Sequence, residues 1–165
     1  MTDEPLLSIR DLRTVFHTDD GLVRAVDGVS FDVGRGETVC IVGESGSGKT
    51  VTGESITRLL RIPPGEVAGG EIVFDGRDLT TLDDETLRSL RGDRIAHVFQ
   101  NPQGALNPVY TVGWQIVEAI QLHDDVTREA ARDRAIDLLD RVGIPEATRR
   151  FDDYPHEFSG GMKQR

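Results

Sequence analysis

The stretch Gly43–Thr50 reads GESGSGKT and matches the pattern G-x-x-x-x-G-K-S/T. Before it lies Thr38–Val42 (TVCIV), whose wholly apolar character predicts a short strand buried on both faces of a parallel sheet. After it, a helix is predicted from Lys49 to about Leu60. A strand, a glycine-rich loop and a helix in this order are the context of a phosphate-binding loop, so the stretch predicts nucleotide binding. The alternative interpretation is a glycine-rich hairpin turn.

The residue types of this loop suit a polyphosphate with a divalent cation. Glycines allow the backbone N–H groups to turn inward, and together with the helix N-terminus they form a nest for anionic oxygens. Lys49 adds a positive charge, and the hydroxyl of Thr50 is a ligand for Mg²⁺. The loop therefore predicts a bound nucleotide with Mg²⁺, and taken alone it fits kinases, GTPases and helicases equally well. The candidate phosphate-binding residues are Gly43, Glu44, Ser45, Gly46, Ser47, Gly48, Lys49, Thr50 and Val51.

Composition excludes several classes of protein. The 165 residues carry a formal charge of −10, which argues against a basic nucleic-acid binder. No apolar run approaches the roughly 20 residues that span a bilayer, and the acidic start MTDEPLLSIR is unlike a secretory signal. The single cysteine, Cys40, allows no internal disulfide and is expected to be a small core residue. We expect a soluble intracellular protein in a reducing compartment.

The charged residues are unevenly chosen, because Lys49 and Lys163 are the only lysines beside 17 arginines. A highly acidic surface stays solvated when salt screens charge, which suggests a high-salt cytoplasm. A GC-rich coding bias, which favours Arg over Lys, explains the same counts. A melting curve against KCl concentration would separate the two explanations.

The first part of the chain is predicted to be mostly strands. Apolar alternation and β-branched residues indicate strands over residues 6–16 and 23–33, joined by a turn at 17–21. A second turn is expected at 34–37 and a loop where Pro63, Pro64, Gly65, Gly69 and Gly70 cluster. Further strands are predicted over residues 71–74 and 95–99, and a helix over residues 81–91.

The second part is predicted to be helical, with helices over residues 111–122 and 127–142. Thr127 is a candidate N-cap, and Gly143 with Pro145 ends that helix. Two segments remain that the phosphate loop does not explain. They are Val98–Pro102 (VFQNP) and Phe158–Arg165 (FSGGMKQR).

With these two segments, the sequence resembles the ATP-binding subunit of an ABC transporter. FSGGMKQR is similar to the family's signature, with Phe158 for the usual Leu and Met162 for the usual Gln, and VFQNP resembles its Q-loop. The resemblance implies a P-loop NTPase core of the α/β class, an antiparallel β subdomain and a helical subdomain. The chain is then a partial domain, with residues 1–100 holding the β subdomain and core and residues 101–165 the helical subdomain.

The resemblance also implies roles for single residues. Lys49 and Gln100 become the catalytic candidates, and Thr50 and Gln100 the Mg²⁺ ligands. Ser159, Gly160 and Gly161 would bind the γ-phosphate of ATP seated in a partner subunit, whereas the simpler interpretation is a helix N-cap. Phe16 would stack on adenine, or else belong to the core, and Gln100 could be a solvated loop residue.

The same resemblance names partners and a location. Two such subunits pair head to tail around two ATP molecules. Each energises a membrane permease, which receives its cargo from an extracytoplasmic solute-binding protein. No nucleic-acid partner is expected. LNPVYTVGWQI (106–116) and YPHEFSGGMKQR (154–165) resemble importers of dipeptides, oligopeptides and nickel, a branch that favours a related second subunit. The expected location is the cytoplasmic face of the membrane. The alternatives are a soluble ABC ATPase outside transport and a nucleotide-binding fragment without turnover.

Some residues are interpreted as structural rather than functional. Trp114 is expected to pack in the helical region, where the family contacts its permease. Tyr154, His156 and Glu157 lack metal-ligand spacing and are interpreted as the loop that positions the signature helix.

The residues that complete hydrolysis in the family follow the signature, on an apolar strand ending in Asp-Glu, with a later histidine. Glu54, Glu71 and Asp75 do not substitute for them, because none ends an apolar run after the signature. We therefore expect residues 1–165 to be the first half of the domain, with weak ATP binding, negligible hydrolysis and exposed apolar surface.

Overall fold

The computed structural model describes residues 4–60, 64–100 and 102–165, without the side chains of residues 102 and 103. The chain forms two compact units, Met1–Ile95 and Ala96–Arg165. Pro63, one of the residues that predicted a loop, lies outside the described residues. No helix among the described residues is long and apolar enough to cross a membrane.

The first unit contains an antiparallel sheet of four strands in the order β2-β1-β3-β4. The strands are β1 (Leu7–Thr18), β2 (Gly21–Val33), β3 (Gly65–Phe74) and β4 (Arg77–Asp78). β1 and β2 form a hairpin, and the turn between them is only the two residues Asp19 and Asp20. The first two predicted strands and the antiparallel subdomain are confirmed, and the predicted turn is shorter than expected.

A bulge explains why part of the predicted loop is a strand. The pairing of β1 shifts register near Leu12 with both neighbouring strands. At this point Gly70 has φ 92°, and a Cβ there would lie 2.5 Å from the carbonyl oxygen of Asp11. Glycine marks a bulge as readily as a loop, so Gly65, Gly69 and Gly70 belong to β3 rather than to a loop.

Two helices pack with this sheet in the first unit, α1 (Lys49–Ile56) and α2 (Asp84–Leu90). The carboxylate of Asp83 accepts the N–H of Thr86 and caps α2. The core of the unit is apolar and joins the sheet to α2. Its buried members are Ile9, Leu12, Val26, Ile72, Phe74, Leu79, Leu87 and Leu90.

The strands predicted over residues 38–42 and 95–99 are wrong for this structure. Neither segment is paired into a sheet, apart from an isolated bridge between Arg91 and Ile95. Val42 is 92% exposed and Val98 is 85% exposed, and Cys40 is exposed rather than a core residue. A strand needs hydrogen-bonding backbone beside it, and the described residues place none there. The expected exposure of apolar surface is present at these two segments.

The second unit is helical, as predicted. Its helices are α3 (Val112–His123), α4 (Arg128–Arg141), α5 (Ala147–Arg150) and α6 (Gly160–Lys163), with 3₁₀ turns at Pro102–Ala105 and Pro155–Glu157. The hydroxyls of Thr111 and Thr127 cap α3 and α4. The core lies between these two helices and the segments that follow them. Its buried members are Val112, Val117, Ile120, Ala131, Ala135, Leu139, Ile144, Ala147, Phe151 and Phe158.

Candidate functional site

The loop Gly43–Gly48 turns the chain sharply into α1. Gly46 has φ 83° and Gly48 has φ 88°, both in the left-handed region that suits glycine. At Gly48 a second constraint applies, because a Cβ would lie 2.3 Å from the carbonyl oxygen of Ala25 on β2. The loop therefore presses its backbone against β2, and only glycine fits at position 48.

The N-terminus of α1 is left open. Gly48 is its N-cap and provides no side-chain acceptor, and the first turn contains no acidic residue. The N–H of Thr52 is bonded to the carbonyl of Gly48 at 2.8 Å, whereas the N–H groups of Lys49, Thr50 and Val51 precede the first intrahelical bond. Open N–H groups at the positive end of a helix attract an anion.

Lys49 lies over the loop that it belongs to. Its ammonium donates to the carbonyl of Gly43 at 2.8 Å, to the carbonyl of Glu44 at 2.5 Å and to the hydroxyl of Ser47 at 3.3 Å. Among the described residues, no carboxylate lies within salt-bridge distance of this ammonium. The lysine charge is thus concentrated at the loop and is not neutralised there.

A buried polar contact holds α1 on the sheet. The hydroxyls of Thr14 on β1 and Ser55 on α1 lie 2.8 Å apart, and both residues are completely buried. Ser55 also donates to the carbonyl of Val51 at 2.6 Å. This pair was not predicted from the sequence, although Thr52 and Ser55 at helical spacing, with Thr14 in an apolar strand, were a usable signal.

Phe16 lies near the end of β1, opposite Val23 and Gly65. Phe16 is half-buried, and among the described residues it is not part of the apolar core of the unit. Its stacking on adenine stays a prediction.

Gln100 is exposed at a bend in the second unit, directly after the unpaired segment 96–99. Asn101, which belongs to the same predicted motif, lies outside the described residues. The first unit holds the loop and the second holds Gln100, so a shared Mg²⁺ site for Thr50 and Gln100 stays a prediction. The described residues contain no cluster of three or more His, Cys, Asp or Glu side chains suited to a metal.

Ser159 is the N-cap of α6, and its hydroxyl accepts the N–H of Met162 at 3.3 Å. Gly160 and Gly161 are exposed, and a Cβ on Gly161 would meet nothing within 4 Å. This geometry is that of an ordinary helix cap with an accessible first turn. The phosphate-binding role of this turn stays a prediction.

The residues before Ser159 hold the turn in place. The carboxylate of Glu157 accepts the N–H of Tyr154 at 2.7 Å, and Pro155 and Phe158 are buried. His156 is exposed and its ring stacks on Tyr154 at 5.8 Å. This arrangement supports the interpretation of residues 154–157 as a positioning loop. Trp114 is half-buried and stacks on Tyr110 at 4.3 Å, in agreement with packing in the helical unit.

The ABC transporter family profile matches residues 26–165. The oligopeptide transport ATP-binding protein OppD of Bacillus subtilis is 48% identical over 97% of this chain and 45% of its own length. The dipeptide transport ATP-binding protein DppD of the same organism is 48% identical over 98% of this chain and 48% of its own length. The chain therefore spans about half the length of these curated relatives.

Solved structures agree with the sequence comparison. The dimeric post-hydrolysis state of the ATP-binding cassette MJ0796, bound to ADP and Pi, superposes with a TM-score of 0.81 at 27% identity. The match covers 96% of this chain and 65% of that one.

Proposed function

Because the chain belongs to the ABC transporter family, we propose that it is the ATP-binding portion of an ATPase subunit that energises peptide import. The observation that carries the proposal is the loop before α1, where the Lys49 ammonium lies over the loop and the first N–H groups of α1 have no side-chain cap. Oligopeptide and dipeptide transport are named for relatives about 48% identical, which supports peptides as the transported class.

Different residues bind different parts of Mg·ATP. Backbone N–H groups of residues 45–51 bind the β- and γ-phosphate oxygens, and Lys49 exchanges its carbonyl contacts for phosphate oxygens. Mg²⁺ offsets phosphate charge when bound, and the hydroxyl of Thr50 and the amide oxygen of Gln100 are oxygen donors of the kind that it prefers. Phe16 provides an aromatic face for adenine.

The remaining roles involve a second subunit. Ser159, Gly160 and Gly161 bind the γ-phosphate of ATP seated in the partner's loop, and the dimer sits under a permease at the cytoplasmic face of the membrane. The MJ0796 cassette in a dimeric state supports the pairing. Hydrolysis needs a carboxylate that the family places after the signature, so we propose that residues 1–165 alone bind nucleotide without turnover.

Isothermal titration of the 165-residue chain with Mg·ATP tests the proposal. Lys49→Ala removes a charged donor, so we expect affinity to fall about ten- to hundredfold. Lys163→Ala removes the only other lysine and is the matched control, with affinity unchanged. Equal affinities for the chain and both variants, or no binding by the chain itself, would contradict the proposal. Steady ATP turnover by the pure chain would contradict the absence of hydrolysis.

A further inference from the structure

The C-terminus of α1 has an unusual residue in its closing turn. The N–H of Arg58 donates to the carbonyl of Ser55 at 3.2 Å, and the N–H of Leu59 donates to the carbonyl of Glu54 at 2.9 Å. This pair of bonds is a Schellman motif, which places the residue at position C′ in the left-handed region and normally uses glycine. Here the residue is Arg58, with φ 48°.

Arg91 contacts the carbonyls at this same end of α1. Its Nε and Nη2 both donate to the carbonyl of Thr57, at 2.8 and 2.5 Å, and its Nη2 also donates to the carbonyl of Arg58 at 3.1 Å. These are charge-assisted bonds to the negative end of a helix, where a cation is favourable. Arg91 follows α2 and is half-buried, so it joins α1 to a second element of the same unit.

Besides Arg91, the guanidinium of Arg58 holds the C-terminal end of α1 on the carbonyls of Leu79 and Leu82, and Gly48 packs against Ala25 at its start. Between these ends the helix has little apolar side chain to fix its direction. Its eight residues, KTVTGESI, include only two large apolar side chains, Val51 and Ile56, and both are only half-buried. The Thr14–Ser55 contact holds one face. A helix of eight residues is about 12 Å long, so a tilt at its C-terminus moves its N-terminus appreciably.

We propose that Arg91 is a positioning residue for the phosphate-binding loop. By holding the C-terminus of α1, it fixes where the opposite end presents Lys49 and the open N–H groups to phosphate. The inference rests on the proposed function of that loop. Arg91 touches neither the loop nor a ligand, and its effect passes through the helix.

The test compares Arg91→Met, which keeps an unbranched apolar stem without the guanidinium, with Arg91→Lys, which keeps the charge and part of the bonding. Arg94→Met is the matched control, because Arg94 lies in the same turn but pairs with Asp75 at 2.8 Å rather than with α1. We expect the Kd for Mg·ATP to rise about five- to tenfold in Arg91→Met. The Kd of Arg91→Lys should lie between those of the parent and Arg91→Met, and the Kd of Arg94→Met should equal that of the parent.

Two further readouts separate positioning from general destabilisation. Thermal melts show whether each variant is folded at the titration temperature, and if Arg91→Met is not, Arg91→Lys carries the comparison. Amide exchange at Arg58 and Leu59 should accelerate in the Arg91 variants and not in Arg94→Met.

Three results would overturn the inference. An unchanged Kd in folded Arg91 variants, or unchanged exchange at Arg58 and Leu59, overturns this inference but leaves the proposed function of the loop intact. Failure of the unsubstituted chain to bind Mg·ATP overturns the proposed function, and the inference with it.

Discussion

Helices α1 and α4 have the same closing hydrogen bonds but different ends. In α4, Gly143 occupies the left-handed position with φ 75°, and the hydroxyl of Thr127 caps the other terminus. In α1, Arg58 occupies the left-handed position, and no side chain caps the N-terminus. The hydroxyl of Thr127 and the backbone bonds around Gly143 close both ends of α4 with residues next to it in sequence, and Arg165 also donates to the carbonyl of Gly143 at 2.6 Å.

The ends of α1 depend on residues far away in the chain. Arg91, 34 residues beyond Thr57, binds its C-terminal carbonyls, and β2 supports Gly48 at its start. The two helices therefore differ at the start, where no side chain caps α1, and at the left-handed position, where α1 has Arg58 and α4 has glycine.

The largest expected effect concerns the start of α1. Gly48→Ala places a Cβ against the carbonyl of Ala25 and in the left-handed region, so we expect a loss of about 2–4 kcal/mol in the free energy of unfolding and loss of Mg·ATP binding. Gly46→Ala shares the positive φ but meets open space, so it should lose only about 1 kcal/mol. Urea unfolding of both variants measures the difference. Equal losses would show that contact with β2 does not matter.

A smaller effect concerns the end of α1. Arg58→Gly and Arg58→Met lose the same guanidinium contacts with the carbonyls of Leu79 and Leu82, and Gly alone relieves the left-handed strain. We therefore expect Arg58→Gly to be more stable than Arg58→Met by about 1 kcal/mol, which would make the end of α1 like that of α4. The midpoints of urea unfolding report this difference. If Met is equal or more stable, strain at position 58 is not what separates the two helices.

The smallest expected change in stability comes from a side-chain charge rather than from backbone strain. Arg94 and Arg35 both bond the carboxylate of Asp75 and lower its pKa below the usual value. Since the folded pKa is the lower one, this stabilisation is present above the unfolded pKa of about 4 and is lost as pH falls through the folded value. The Tm of the parent should therefore exceed that of Asp75→Asn at pH 6, with the gap closing towards pH 3.

A gap in Tm that is constant with pH would mean that Asp75 acts through its shape and not through its charge.

Much of the fold was predictable because its signals are local. Alternation gave β1 and β2, and Thr111, Thr127 and Gly143 marked the ends of α3 and α4 as the structure has them. The segments 38–42 and 95–99 were wrongly predicted as strands, since apolar character shows that a segment prefers burial but not that a neighbour pairs with it. Glycines in β3 were mistaken for a loop because a bulge and a turn use the same residue.

The sequence alone determined the chemistry of the candidate site. GESGSGKT specifies a loop of glycines, a lysine and a threonine at the start of a helix, and those residue types suffice to predict phosphate binding. How that helix is held depends instead on contacts between distant parts of the chain. Thr14 with Ser55, Ala25 with Gly48, and Arg91 with Thr57 are contacts between residues 23 to 41 positions apart. Such contacts depend on how the chain folds back on itself, which no local pattern of residues records.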